Sequence, residues 1–118
     1  MVAEVTPNAL IAMLQRVPHK KGGSGWNGLD CWGIVEMWYR ERRGIALDDR
    51  RSIPPGPEGL QTGFDGKVHW YPVEVPQDDD LVVMRDGHLD AGHIGIFYAG
   101  SVLHSNEVAG CVYQPLNR

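Results

Sequence analysis

The sequence predicts an α+β domain, with N-terminal helices packed on a small antiparallel sheet or half-barrel. Apolar residues recur at helical spacing in two segments before Gly44. From Val68 onward the chain breaks into short β-rich pieces punctuated by Gly, Asp and Pro. A length of 118 residues supports one core and not two, so positions 1–118 read as a single domain.

The first helix starts at Thr6-Pro7, a hydroxyl cap followed by a proline already set for the first turn. Leu10, Ile11, Met13, Leu14 and Val17 give its apolar stripe, read as core packing, and Pro18 stops it. His19 to Gly25 is a polar, glycine-rich loop that lacks the spacing and the preceding strand of a phosphate loop. Asp30 caps a second helix that runs to about Arg43, where Gly44 supplies a left-handed exit. Ile34, Val35 and Trp38 share one side of it, with Cys31 one turn earlier. Arg40, Arg42, Arg43, Arg50 and Arg51 interleave with Glu36, Glu41, Asp48 and Asp49, which reads as a solvated helix end. Asp48 to Gly66, with Pro54-Pro55-Gly56-Pro57, reads as an irregular surface excursion. The strand segments that follow are Val68–Tyr71, Leu81–Arg85, His93–Tyr98, Ser101–Ser105 and Cys111–Gln114.

Composition excludes several function classes. A formal net charge of -4 and no basic stripe argue against nucleic acid as a partner. No run approaches membrane-spanning length, and no basic region followed by an apolar core marks a signal peptide. Two cysteines do not make a disulfide framework, and Cys111 reads as a small buried hydrophobe. His88, Asp90, His93 and His104 lack helical metal-ligand geometry, Asp78-Asp79-Asp80 reads as a turn, and no metal or cofactor is expected. His19 and His69 carry no readable partner.

Chemistry concentrates on Cys31 and His93. A thiol at a helix N-terminus meets backbone N–H groups and the positive end of the helix dipole, both of which favour thiolate. A histidine folded beside it can act as its general base. If Ala99-Gly100 forms the turn of a hairpin, Tyr98 pairs with Ser101, Phe97 with Val102, Gly95 with His104 and His93 with Asn106. His93, His104 and Asn106 then share one face, and either His104 or Asn106 can orient His93. Trp26 and Trp32 flank Cys31 closely enough to line a cleft, while Trp38 and Trp70 read as core or cleft wall.

The run from Trp26 to Val35 resembles the nucleophile segment of the NlpC-type cell-wall peptidases, a papain-like superfamily. Leu81–Arg85, His93–Phe97 and Val102–His104 are similar to its later strands, in the same order. The Asp30-Cys31-Trp32-Gly33 form, with Tyr39-Arg40-Glu41 and Gly44-Ile45 behind it, most resembles short versions encoded with tailed-phage and gene-transfer-agent tail genes. The resemblance implies Cys31 as nucleophile, His93 as base and His104 as the group that orients His93. Asp30, Trp26, Trp32 and Asn106 become oxyanion or cleft candidates. It also implies metal-independent cleavage of peptidoglycan stem peptides, commonly next to D-glutamate or diaminopimelate. A phage tail-tip location, hub or baseplate partners and action in the host periplasm follow from it. The sequence departs from the family pattern at Ser24, where many members carry tyrosine, and at Asp78-Asp79-Asp80, where Pro-Gly-Asp is usual. A structural hub protein that retains the fold without turnover is the competing reading, and a cytosolic acyl-transfer relative is a third.

Overall fold

A computed structural model describes residues 6–47, 73–86 and 89–115. The excursion expected at Asp48–Gly66, the strand expected at Val68–Tyr71, and His88 lie outside the described residues.

Helix α1 spans Pro7–Leu14, and Thr6 Oγ1 accepts the Ala9 N–H at 3.2 Å as its cap. It ends before the apolar stripe does. Arg16 and Val17 N–H groups bond back to Met13 and Leu14 carbonyls, a tighter turn that still delivers Val17 into the core. The loop beyond Pro18 holds a feature the sequence did not disclose. Strands β1 (Ser24–Gly25) and β2 (Gly28–Leu29) form a small antiparallel hairpin with Trp26 and Asn27 at its tip. Its polar, glycine-rich composition carries no strand periodicity, and tertiary contacts form it instead.

Helix α2 spans Cys31–Arg43, buries Trp32, Ile34, Val35, Met37 and Trp38, and closes on Gly44 at φ 65°. Four strands follow as an antiparallel meander in chain order: β3 (Leu81–Asp86), β4 (Leu89–Tyr98), β5 (Ser101–Asn106) and β6 (Gly110–Pro115). Helix α2 packs against β4 and β5, and Ile94, Ile96, Leu103 and Cys111 join residues of both helices in one buried cluster. Here lies the α+β architecture read from the sequence. Strand β4 starts earlier than expected, because pairing with β3 continues through a bulge between Met84 and Asp86 to join Asp86 with Leu89. Residues 89–92, outside any strand expected from the sequence, therefore belong to β4.

The turn between β4 and β5 is the two-residue type, with Ala99 at φ 49° and Gly100 at φ 85°. Tyr98 pairs with Ser101, Phe97 with Val102 and Ile96 with Leu103, in the register read from the sequence. The Asp78 carboxylate accepts the Ala99 N–H at 2.8 Å and steadies a non-glycine residue in that left-handed position.

The basic end of α2 is not simply solvated. Asp79 is buried at 6% exposure and accepts from Trp38 Nε1 at 2.7 Å and from Arg43 Nε at 3.1 Å. Arg42 lies 3.4 Å from the same carboxylate, and its guanidinium also rests over the Trp38 and Tyr98 rings. These contacts tie the loop that enters β3 to the last turn of α2. Local charge patterning could not show this, because Asp79 is far from Arg42 and Arg43 in sequence.

Candidate active site

Cys31 is the first residue of α2, half-buried and packed against the core. Its position is set by Asp30. One carboxylate oxygen of Asp30 accepts the Gly33 N–H at 2.8 Å, which caps the helix. The other accepts the Gly22 N–H at 3.0 Å and binds the preceding loop to the same point. Asp30 is itself buried and its bond to Gly33 forms out of water, where a lost partner is expensive, while the bond to the exposed Gly22 is partly solvated. A Cβ on Gly33 would lie 2.0 Å from the Gly23 carbonyl oxygen, so only glycine lets the loop approach the first helical turn this closely. The Asp-Cys-x-Gly spacing thus has a mechanical reason: Asp30 and Gly33 fix the backbone on both sides of the thiol.

His93 and His104 stand on neighbouring strands, β4 and β5, with His93 Nε2 2.9 Å from His104 Nδ1. Their ring planes meet at 83°. The hairpin register makes them diagonal neighbours, and Gly95 opens the space between. A Cβ there would meet Val102 Cγ1 at 2.6 Å and His104 Cβ at 3.0 Å. Asn106 is engaged elsewhere. Its Oδ1 accepts the N–H groups of Val108 and Ala109 at 2.8 and 2.9 Å and organises the turn into β6. Of the two groups that the sequence offered as partners for His93, His104 is the one seen in hydrogen-bond contact. Beyond it stands a residue that sequence reasoning missed: Gln114 on β6 places Oε1 2.8 Å from His104 Nε2. Finding Gln114 needs the β5–β6 register, which the Glu107–Ala109 turn sets and which no short motif announces.

The tryptophans separate. Trp26 is 43% exposed at the tip of the β1–β2 hairpin, whereas Trp32 is buried in the core. The Trp32 indole N–H has no hydrogen-bond partner among the described residues. Ser24 lies in β1 opposite Leu29, on the hairpin that leads directly into Asp30 and Cys31. His19, for which the sequence offered no partner, has Nδ1 2.7 Å from Ser105 Oγ, and that hydroxyl donates to the Leu29 carbonyl at 3.1 Å. This link holds the segment before Cys31 against β5.

The two thiols occupy different surroundings and are not bridged to each other. Cys111 is buried opposite Ser105, and burial pushes its thiol up to about 12. It stays a neutral, inert hydrophobe at any ordinary pH. Among the described residues no cluster of three or more His, Cys, Asp or Glu side chains is placed to hold a metal.

A cysteine at the start of a helix that packs on an antiparallel sheet, with linked imidazoles on two adjacent strands, defines a papain-like α+β domain. The chain belongs to the NlpC/P60 family, whose model matches residues 16–118. It is also similar to tail tip assembly protein K of Escherichia phage N15, with 32% identity over 80 residues. That alignment covers 63% of this chain and 33% of the phage protein, so the chain corresponds to about a third of that relative. No helix among the described residues is long and apolar enough to cross a membrane.

Proposed function

We propose that this protein is a phage tail-tip cysteine endopeptidase that cuts peptidoglycan stem peptides during genome delivery. The observation that carries the reading is Cys31 at the capped start of α2 in a fold that also joins His93 to His104 at 2.9 Å. Nucleophile, base and orienting group are the three parts that thiol hydrolysis requires.

In the proposed reaction His93 takes the Cys31 proton, and the thiolate attacks the carbonyl carbon of the scissile amide. The oxyanion is held by the backbone N–H of Cys31, which belongs to a helical turn whose N–H groups lack intrahelical acceptors. When the tetrahedral adduct collapses, the C–N bond breaks and His93 gives its proton to the leaving amine. Water, with His93 again as base, then hydrolyses the thioester and restores the thiol. His104 keeps the His93 ring aligned throughout. Trp26, exposed on the hairpin beside Cys31, is proposed as a wall of the substrate cleft.

The likeness to a phage tail-tip assembly protein supports the proposed location in the tail tip of a particle, with action in the host periplasm. Hub or baseplate proteins are the proposed partners, and the outward side of α1, where Met13 is exposed, is one candidate contact. A second reading, a tail-tip structural protein without turnover, is favoured by Ser24 at the position where many family members carry tyrosine.

Incubation of the protein with purified sacculi separates the two. The proposal expects soluble peptide fragments with new amino termini from the wild type and none from Cys31→Ala. Equal release by both, or no release by either while washed particles contain the chain, would favour the structural reading.

A further inference from the structure

We infer that Gln114 is a positioning residue that sets the proton arrangement of the histidine pair and so decides which nitrogen of His93 serves as base. The inference rests on the reading of Cys31 and His93 as nucleophile and base.

His93 on β4, His104 on β5 and Gln114 on β6 form a diagonal line across three adjacent strands. The β5–β6 register places Gln114 opposite Val102 and Val112 opposite His104, so Gln114 is the diagonal neighbour of His104. Two contacts join the line, His104 Nε2 to Gln114 Oε1 at 2.8 Å and His93 Nε2 to His104 Nδ1 at 2.9 Å.

The chemistry of these atoms permits one arrangement for a neutral pair. A carboxamide oxygen only accepts, so His104 must carry its proton on Nε2. A neutral imidazole has a single N–H, which leaves His104 Nδ1 bare and able only to accept. His93 must then donate from Nε2, and its lone pair stands on Nδ1. In the proposed reaction it is that nitrogen which takes the Cys31 proton. A single amide oxygen at the surface therefore fixes two tautomers in series.

Three substitutions distinguish acceptor chemistry from mere space filling, and the exposed position of Gln114 means that each should fold with an unchanged melting temperature. Gln114→Glu keeps an acceptor, Gln114→Leu offers neither donor nor acceptor, and Gln114→Lys offers only donors. Imidazole nitrogen NMR of the full chain at neutral pH should show His104 and His93 as Nε2–H tautomers in the wild type and in Gln114→Glu. In Gln114→Leu and Gln114→Lys, His104 should gain the Nδ1–H form. Where sacculus hydrolysis is measured, kcat should fall about 3- to 10-fold in Gln114→Leu, the worth of one partly solvated hydrogen bond. KM should stay unchanged, and Gln114→Glu should restore the rate. An Nδ1–H His104 in the wild type, or tautomers identical in all four proteins, would overturn the inference. Absence of hydrolysis by the wild type would instead strike the peptidase reading, because the NMR result decides Gln114 without turnover.

Discussion

Helix α2 ends on a buried aspartate at both termini, and the two do opposite work. Asp30 and Asp79 are each 6% exposed, and each ties a loop to one end of the helix. At the N-terminus Asp30 accepts the backbone N–H groups of Gly33 and Gly22, and its negative charge agrees with the helix dipole. At the C-terminus a carboxylate opposes the dipole. Asp79 is tolerated there because Arg43 and Arg42 lie against it and Trp38 donates to it. Burial pushes the Asp79 carboxyl up, but the hydrogen bonds from Arg43 and Trp38 and the charge of Arg42 outweigh it and hold it below the usual carboxylate range. Tyr39, which donates to the Asp79 carbonyl at 2.5 Å, is pushed up to about 12, first by burial and then by the charges of Asp79 and Asp80. One end is closed by charge neutralisation. The other is closed by backbone N–H groups bonded to Asp30 and keeps a thiol at its first turn. Chemistry fits the second kind of end, and the first secures the fold.

Activity should break most sharply at the residues proposed to act with the thiol of the N-terminal end. His93→Ala is expected to abolish hydrolysis of sacculi, whereas His104→Ala should reduce it and leave the fold intact, since an orienting group usually costs less than the base. Circular dichroism beside turnover checks both halves. Normal turnover by His93→Ala would remove the mechanism.

Stability should break at the C-terminal end. Asp79→Ala leaves the buried Trp38 N–H without its acceptor, a loss of about 1–3 kcal/mol. The exposed Arg43 pair adds little to that. Chemical denaturation should show the full effect for Asp79→Ala and almost none for Cys31→Ala.

The smallest expected effect sharpens the comparison through pH. The Asp79 carboxyl titrates lower in the folded chain than in the unfolded one, whose ordinary value is about 3.9. The stability it contributes is therefore fully present above that value and is lost as pH falls through the depressed folded one. The stability gap between wild type and Asp79→Asn should thus be constant at neutral pH and close in acid. A gap that persists at the acid end would place the contribution in packing rather than charge.

Local chemistry made part of this molecule readable. Thr6-Pro7, Asp30 and Gly44 announce the helix boundaries because caps and left-handed exits depend on single residues. The β4–β5 register was legible near its turn because a two-residue turn fixes the pairs beside it, and with them the nearness of His93 and His104. The expected Gly95–His104 and His93–Asn106 pairs are not among those formed. Contacts between distant segments were not. Asp79 with Arg42 and Arg43, His19 with Ser105, and His104 with Gln114 each need tertiary geometry that no window of sequence contains. The β1–β2 hairpin was hidden for a related reason, since its short strands are held by Pro18, Lys20 and Gly23 rather than by their own pattern.

Cysteine alkylation tests the central claim, that the N-terminal end of α2 carries an activated thiol. The wild type and His93→Ala are treated with iodoacetamide at mildly acidic pH, and Cys31 and Cys111 peptides are followed by mass spectrometry. Cys31 is expected to react well ahead of the buried Cys111, whose thiol is pushed up to about 12, and His93→Ala is expected to slow Cys31. Equal labelling of the two thiols, or a Cys31 rate indifferent to His93→Ala, would contradict that claim.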